Sequence, residues 1–187
     1  MRKVYALLIS GLAVIAGCLS SVPAPAQPVP AHHSRQYYLF IGTYAPADSN
    51  GIFVYRFNTA TGNARLISAV SGIENPSFLN LSPDHRFVYA VSETHGGAGG
   101  QVYAYAFDHH SGRLIYLDQQ LSRGDDPCNI ITDHTGKWLF VANYSSGNFT
   151  EFPLEKNGSV GKAIQTIQHY GHGINPQRQE KPHVHCV

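Results

Sequence analysis

The sequence predicts an all-β protein, a β-propeller built from four-stranded antiparallel blades, and three observations predict it. Charged residues make up only 13% of the 187, while there are eleven Tyr, nine Phe and eighteen Gly. Few charges, many aromatics and abundant glycine favour strands joined by tight turns over helices. Three apolar runs, "YLFIGTY" at 38–44, "FVYAVSE" at 87–93 and "WLFVANY" at 138–144, recur about fifty residues apart. Other motifs keep the same spacing around them. Repeats of about 40–50 residues carrying four strands each are the signature of propeller blades, which stack radially because no blade covers both its faces alone. A β-sandwich has strands at similar density but no reason to repeat motifs at a fixed period.

The chain opens on a targeting pattern. Arg2 and Lys3 precede an apolar run from Val4 to Ala16, too short to span a bilayer, which takes roughly 20 apolar residues. "IAGC" at 15–18 places small residues directly before Cys18, as in a bacterial lipobox. Residues 1–18 are therefore expected to be a lipoprotein-type signal peptide, with Cys18 as the lipidation site. A cut after Ala26, in "APAQ", is the alternative. Both predict export, to the periplasm or as an outer-membrane lipoprotein of a bacterium. Residues 19–36 are rich in Pro, Ala and Ser without apolar periodicity and read as a tether, His32 and His33 included.

The repeat occupies 37–187. One series of strands is the apolar run itself. A second is "GIFVYRFNTATG" from Gly51, "QVYAYAFDHHSG" from Gln101 and the looser "NFTEFPLEKNG" from Asn148. Small and aromatic residues alternate in "VYAYAF", the period of a strand, and "NTATG" and "DHHSG" supply hairpin loops. A third series, opening on Pro76 and Pro127, precedes each apolar run. A fourth, "RLISAV", "RLIYLDQQL" and "AIQTIQHY", closes each unit. Pro182 continues the proline series. The expected plan is an incomplete blade at 37–75, whole blades at 76–126 and 127–181, and the first strand of another at 182–187. About three blades are too few to close a ring, so the chain reads as the N-terminal part of a longer protein. By itself it is expected to be inactive and prone to aggregate.

Two composition features bound the function. A formal net charge of +1, with scattered Lys and Arg, excludes a nucleic-acid-binding surface. Two cysteines in the exported body, Cys128 and Cys186, do not make a disulfide scaffold, and their apolar contexts predict buried thiols.

"NPSFLNLSPDHRFVYAVSE", "DPCNIITDHTGKWLFVANYSSGNFTEFPL" and above all "RQEKPHVH" at 178–185 resemble the bacterial lactonase family, whose best-known members are 6-phosphogluconolactonases. The resemblance runs continuously over 37–187. It implies seven blades in the full protein, a small-molecule lactone as substrate and an active site at one mouth of the central channel. His183 resembles the family's site histidine, and Arg178 and Glu180 stand in the loop before it. The residue types suit ester hydrolysis. An imidazole, which exchanges its proton near neutrality, activates water as general base. An arginine binds an anion or stabilises the tetrahedral oxyanion. On this scheme His183 is the base, Glu180 a catalytic partner orienting His183 or Arg178, and Arg178 and His185 contact substrate. No cofactor is needed. His183, His185 and Cys186 have zinc or copper ligand chemistry, but no third ligand on the same strand face is evident, so no metal is expected. Asn143 and Tyr144 read mainly as backbone caps, and His109, His110, His169 and His172 as surface residues. Phosphorylated sugar lactones are cytosolic, so an exported relative points to a different lactone or sugar acid derivative. The competing reading is a non-catalytic exported propeller that binds a carbohydrate or a protein.

Overall fold

Backbone polar groups in these apolar runs find their partners in neighbouring strands, and the result is three antiparallel sheets. A computed structural model describes residues 35–97 and 99–187. The signal sequence, Cys18, His32 and His33 lie outside the described residues. All described residues belong to the compact unit His33–Val187.

The first sheet is β1 (Gln36–Gly42), β2 (Ile52–Asn58) and β3 (Ala64–Val70), in that order. The second is β4 (Leu79–Leu81), β5 (Phe87–Ser92), β6 (Gln101–Asp108) and β7 (Arg113–Leu121). The third is β8 (Pro127–Thr132), β9 (Trp138–Asn143), β10 (Asn148–Pro153) and β11 (Gln165–Gln168). Each is a meander in which consecutive strands pair antiparallel, for example Phe87 opposite Ala106 and Ser92 opposite Gln101. Among the described residues there is no helix.

Side-chain alternation explains how the sheets stack. All six residues of β5 are buried. Phe87, Tyr89 and Val91 join Val102 and Ala104 in a cluster with Ile130, Leu139, Val141 and Phe152 of the third sheet. Val88 and Ala90, on the other face of the strand, pack with Ile52, Val54 and Ile73 on the side of the first sheet. A strand buried on both faces reads as a near-continuous apolar run, and the buried Ser92 at its end donates its hydroxyl to the Glu74 carbonyl at 2.8 Å. Tyr38 and Phe40 close the first interface edge-on against Phe107, each with ring centroids 4.8 Å apart.

One edge of each sheet faces a common side. β4 packs beside β8, and Asn80 Oδ1 accepts from Thr132 N at 3.0 Å and Thr132 Oγ1 at 3.1 Å. The segment 182–187 follows β8 in turn, where Val187 N donates to Asn129 Oδ1 at 3.2 Å and the Cys128 thiol points at the carbonyl of His185 at 3.5 Å.

Three expectations need correction. The segment 182–187 is not assigned as a strand, because no neighbour pairs with its backbone among the described residues. For the same reason Cys186 is exposed, while Cys128 is half-buried. The strand expected over 163–170 pairs only at Gln165–Gln168, and all four of its residues are exposed.

Candidate active site

The opening at this common edge is built on Asn143, at the end of β9. Its side chain is fully buried, and Nδ2 donates to Asn148 Oδ1 at 2.7 Å and to the carbonyl of Ser122 at 3.1 Å. That bond pattern ties the end of β9 to β10 and to the loop after β7. The next residue, Tyr144, is thereby fixed: its N–H donates to the carbonyl of Asp126 at 2.9 Å. Asp126 is itself held, accepting from Ser145 Oγ and lying 3.0 Å from His95 Nδ1. Asn143 is the backbone cap the sequence suggested; Tyr144 is more than that.

Tyr144 is the wall against which His183 rests. The two rings stack with centroids 4.6 Å apart and planes 22° from parallel. His183 Nδ1 lies 3.2 Å from the Tyr144 carbonyl oxygen. A carbonyl only accepts, so Nδ1 carries the proton in this contact. Close approach of the chain at Gly147 completes the arrangement. Its φ is +64°, and a Cβ there would come within 2.2 Å of the Pro182 carbonyl oxygen.

Glu180 Oε1 lies 3.2 Å from His183 Nε2. Glu180 thus meets the ring's second nitrogen, while the bond that orients the ring comes from the Tyr144 backbone. In this position a carboxylate stabilises the imidazolium that forms when Nε2 takes a proton.

Arg178 sits on a self-closed turn. Its N–H donates to Asn175 Oδ1 at 3.2 Å, Gln179 N donates to the Asn175 carbonyl at 2.7 Å, and Gly173 N donates to the Gln179 carbonyl at 2.8 Å. This turn and the 181–183 segment enclose an open concavity of about 440 Å³ lined by Arg178, Lys181, His172, Tyr170 and His183. Lys181 and His172 were not singled out from the sequence as site residues. A cation beside a turn looks like ordinary surface until the turn folds over a histidine.

His185 is not in this concavity. It meets Tyr144 edge-on, centroids 5.6 Å apart, and lines a second hollow with Glu93 and Cys128. Tyr144 therefore separates the two histidines that the two-residue spacing placed together. Burial, with a smaller contribution from the Glu93 charge, pushes the Cys128 thiol up to about 11, so it is a poor ligand and nucleophile. Among the described residues no three His, Cys, Asp or Glu side chains converge as a metal site would require.

Comparison with known proteins then supplies kinship. Residues 38–187 match the family described as Lactonase, 7-bladed beta-propeller. A 6-phosphogluconolactonase of Formosa agariphila is 33% identical over 148 residues, covering 79% of this chain and 42% of that protein. One from Bacillus subtilis is 31% identical over 150 residues, covering 80% of this chain and 42% of the relative. Among solved structures, the periplasmic gluconolactonase of Pseudomonas aeruginosa superposes with a TM-score of 0.70 at 34% identity, covering 77% of this chain and 42% of that one. The chain thus spans about two fifths of the length of the relatives it matches.

Proposed function

The chain belongs to the lactonase family of seven-bladed β-propellers, and on that premise we propose that it carries the general base of a lactone hydrolase. The observation that carries this reading is the His183 ring: Nδ1 is committed to the Tyr144 carbonyl, and Nε2 is turned toward Glu180 beside a concavity lined by two cationic side chains, Arg178 and Lys181. Water attacking the lactone carbonyl gives its proton to Nε2, and the Glu180 carboxylate balances the imidazolium. Arg178 takes the developing oxyanion or an anionic substituent of the substrate. As the intermediate collapses, the ring C–O bond breaks and the imidazolium returns its proton to the leaving alkoxide, giving the open hydroxy acid.

The substrate class is a sugar-derived lactone. Relatives named 6-phosphogluconolactonase support the general class. The periplasmic gluconolactonase, at 34% identity, supports an unphosphorylated form acted on after export. Export itself rests on the Arg2–Lys3 end, the apolar run and Cys18. The mass of the mature N-terminus tests it. A diacylglyceryl group on Cys18 supports a lipoprotein, a start at Gln27 supports ordinary secretion, and an intact Met1 contradicts both.

The hydrolase reading is tested by following glucono-δ-lactone and its 6-phosphate with wild type and His183→Ala. Removing a general base lowers the rate by about 10²–10⁴-fold. Binding of lactone without turnover would instead favour the non-catalytic exported propeller.

A further inference from the structure

Beside Tyr144 lies the second hollow, about 280 Å³, lined by Tyr44, Ser77, Phe78, Glu93, Cys128 and His185. Its chemistry differs from that of the Arg178 side. No Lys or Arg lines it, and its one full charge is the Glu93 carboxylate.

Glu93 is held at four points. Oε2 accepts from Tyr44 OH at 2.8 Å and from Ser77 Oγ. Its N–H donates to the Asn75 carbonyl at 3.0 Å, and its own carbonyl accepts from Asn75 Nδ2 at 3.2 Å. Asn75 adopts a φ of +45°, the left-handed conformation, which lets it serve both bonds. Two hydroxyls are spent on one carboxylate oxygen, while Oε1 meets no protein donor among the described residues. Tyr44 senses the charge: the hydrogen bond to Glu93, with burial, raises its hydroxyl above the usual range.

Around this unspent acceptor stand three aromatic side chains, Tyr44, Phe78 and Tyr144. Tyr44 is 71% exposed and Phe78 41% exposed. Apolar rings beside a preorganised acceptor match a neutral polyhydroxylated ring, whose C–H faces lie on aromatics and whose hydroxyls donate to the carboxylate. The same carboxylate repels phosphate and carboxylate groups.

We propose that this hollow binds the neutral, hydroxyl-bearing face of a sugar-derived ring through Glu93 Oε1. The identity of that ring as part of a lactone substrate rests on the hydrolase reading; recognition of the ring does not.

The probe is 1,5-anhydroglucitol, a neutral polyol ring with nothing to hydrolyse, titrated by ligand-observed NMR against wild type, Glu93→Gln and Glu93→Asp. Circular dichroism on each variant reports the fold. Saturable binding to wild type is expected, weakened at least about tenfold by Glu93→Gln, since a charge-assisted hydrogen bond is lost. Glu93→Asp keeps the charge but draws it back by one methylene, and it must weaken binding as well, which covers the case of a poorly folded Gln variant. Added inorganic phosphate is expected not to displace the polyol. Absence of saturable binding, equal binding by a folded Glu93 variant, or displacement by phosphate each overturns the proposal. Polyol binding that depends on Glu93 without lactone turnover would leave the subsite standing and remove the hydrolase. Lactone turnover with polyol binding indifferent to Glu93 would do the reverse.

Discussion

At the scale of single residues, Tyr144 decides most. Its carbonyl holds His183 Nδ1 and its ring faces both His183 and His185. Tyr144→Ala should leave the backbone bond intact while removing the stack, so turnover is expected to fall about tenfold or more with a smaller change in KM. An unchanged kcat would show the stack to be incidental. This residue was only partly legible in the sequence. A tyrosine at a strand end has many uses, and only the close approach of Gly147 to Pro182 brings it against a histidine 39 residues away. His183, Glu180 and Arg178 were legible because they crowd one eight-residue stretch. His185 was placed with them on strand periodicity; in the structure it lines the second hollow, across Tyr144. The two cysteines give a second residue-scale test. At pH 8 a thiol reagent should modify exposed Cys186 well before Cys128, whose pKa is pushed up to about 11, as peptide mapping would show. Equal labelling would contradict that environment.

At the scale of elements, the strands were legible and the turns less so. "RLIYLDQQL" is β7 from end to end, because an edge strand with alternating burial keeps its pattern visible. β4 pairs over only three residues, too short for any periodicity to announce. The turn between β8 and β9 shows what the sequence hides. Asp133 accepts from Lys137 N at 2.8 Å, Trp138 N at 3.0 Å and Thr135 N at 3.1 Å. Burial alone would raise its pKa, but these bonds together with that from the Thr135 hydroxyl outweigh it and hold the carboxyl down to about 2. Because the folded value lies below the unfolded one, the stabilisation is present above the ordinary carboxylate range near pH 4. It is lost as pH falls from there through about 2. Asp133→Asn should lower the Tm at pH 7 and flatten the Tm profile between pH 4 and 2; an unchanged profile would contradict the capping role. Packing between sheets is tested at Gly158, whose φ is +88° and whose Cβ would meet the Phe87 ring at 2.2 Å. Gly158→Ala is expected to cost about 1–3 kcal/mol in denaturant unfolding, and a neutral result would show that Phe87 yields.

At the scale of the whole molecule, among the described residues the middle sheet is covered on both faces and its two neighbours are not. Tyr37, Leu39 and Ile41 alternate outward along β1, each more than a third exposed, while Tyr38 and Phe40 pack inward. Ile131 and Ile167 are similarly exposed on the third sheet. Exposed apolar side chains on an uncovered sheet face favour association. Residues 35–187 are therefore expected to self-associate with concentration in sedimentation, and Leu39→Lys with Ile41→Lys to reduce it without lowering the Tm. A monomer at every concentration would contradict that. The fifty-residue period made the architecture legible, since each blade repeats its own solution to the same packing problem. The candidate site was legible at Arg178, Glu180 and His183 but not at Lys181 and His172 of the same stretch, nor at Tyr144, which comes from the end of β9. The central claim is that His183 is the base of a lactone hydrolase. The direct measurement is glucono-δ-lactone hydrolysis by the protein carrying this chain, followed by pH-stat with the spontaneous rate subtracted, in wild type and His183→Ala. A saturable rate in wild type that falls about 10²-fold or more in the variant is predicted. A wild-type rate no greater than the spontaneous one, or one that a folded His183→Ala protein retains, would contradict it.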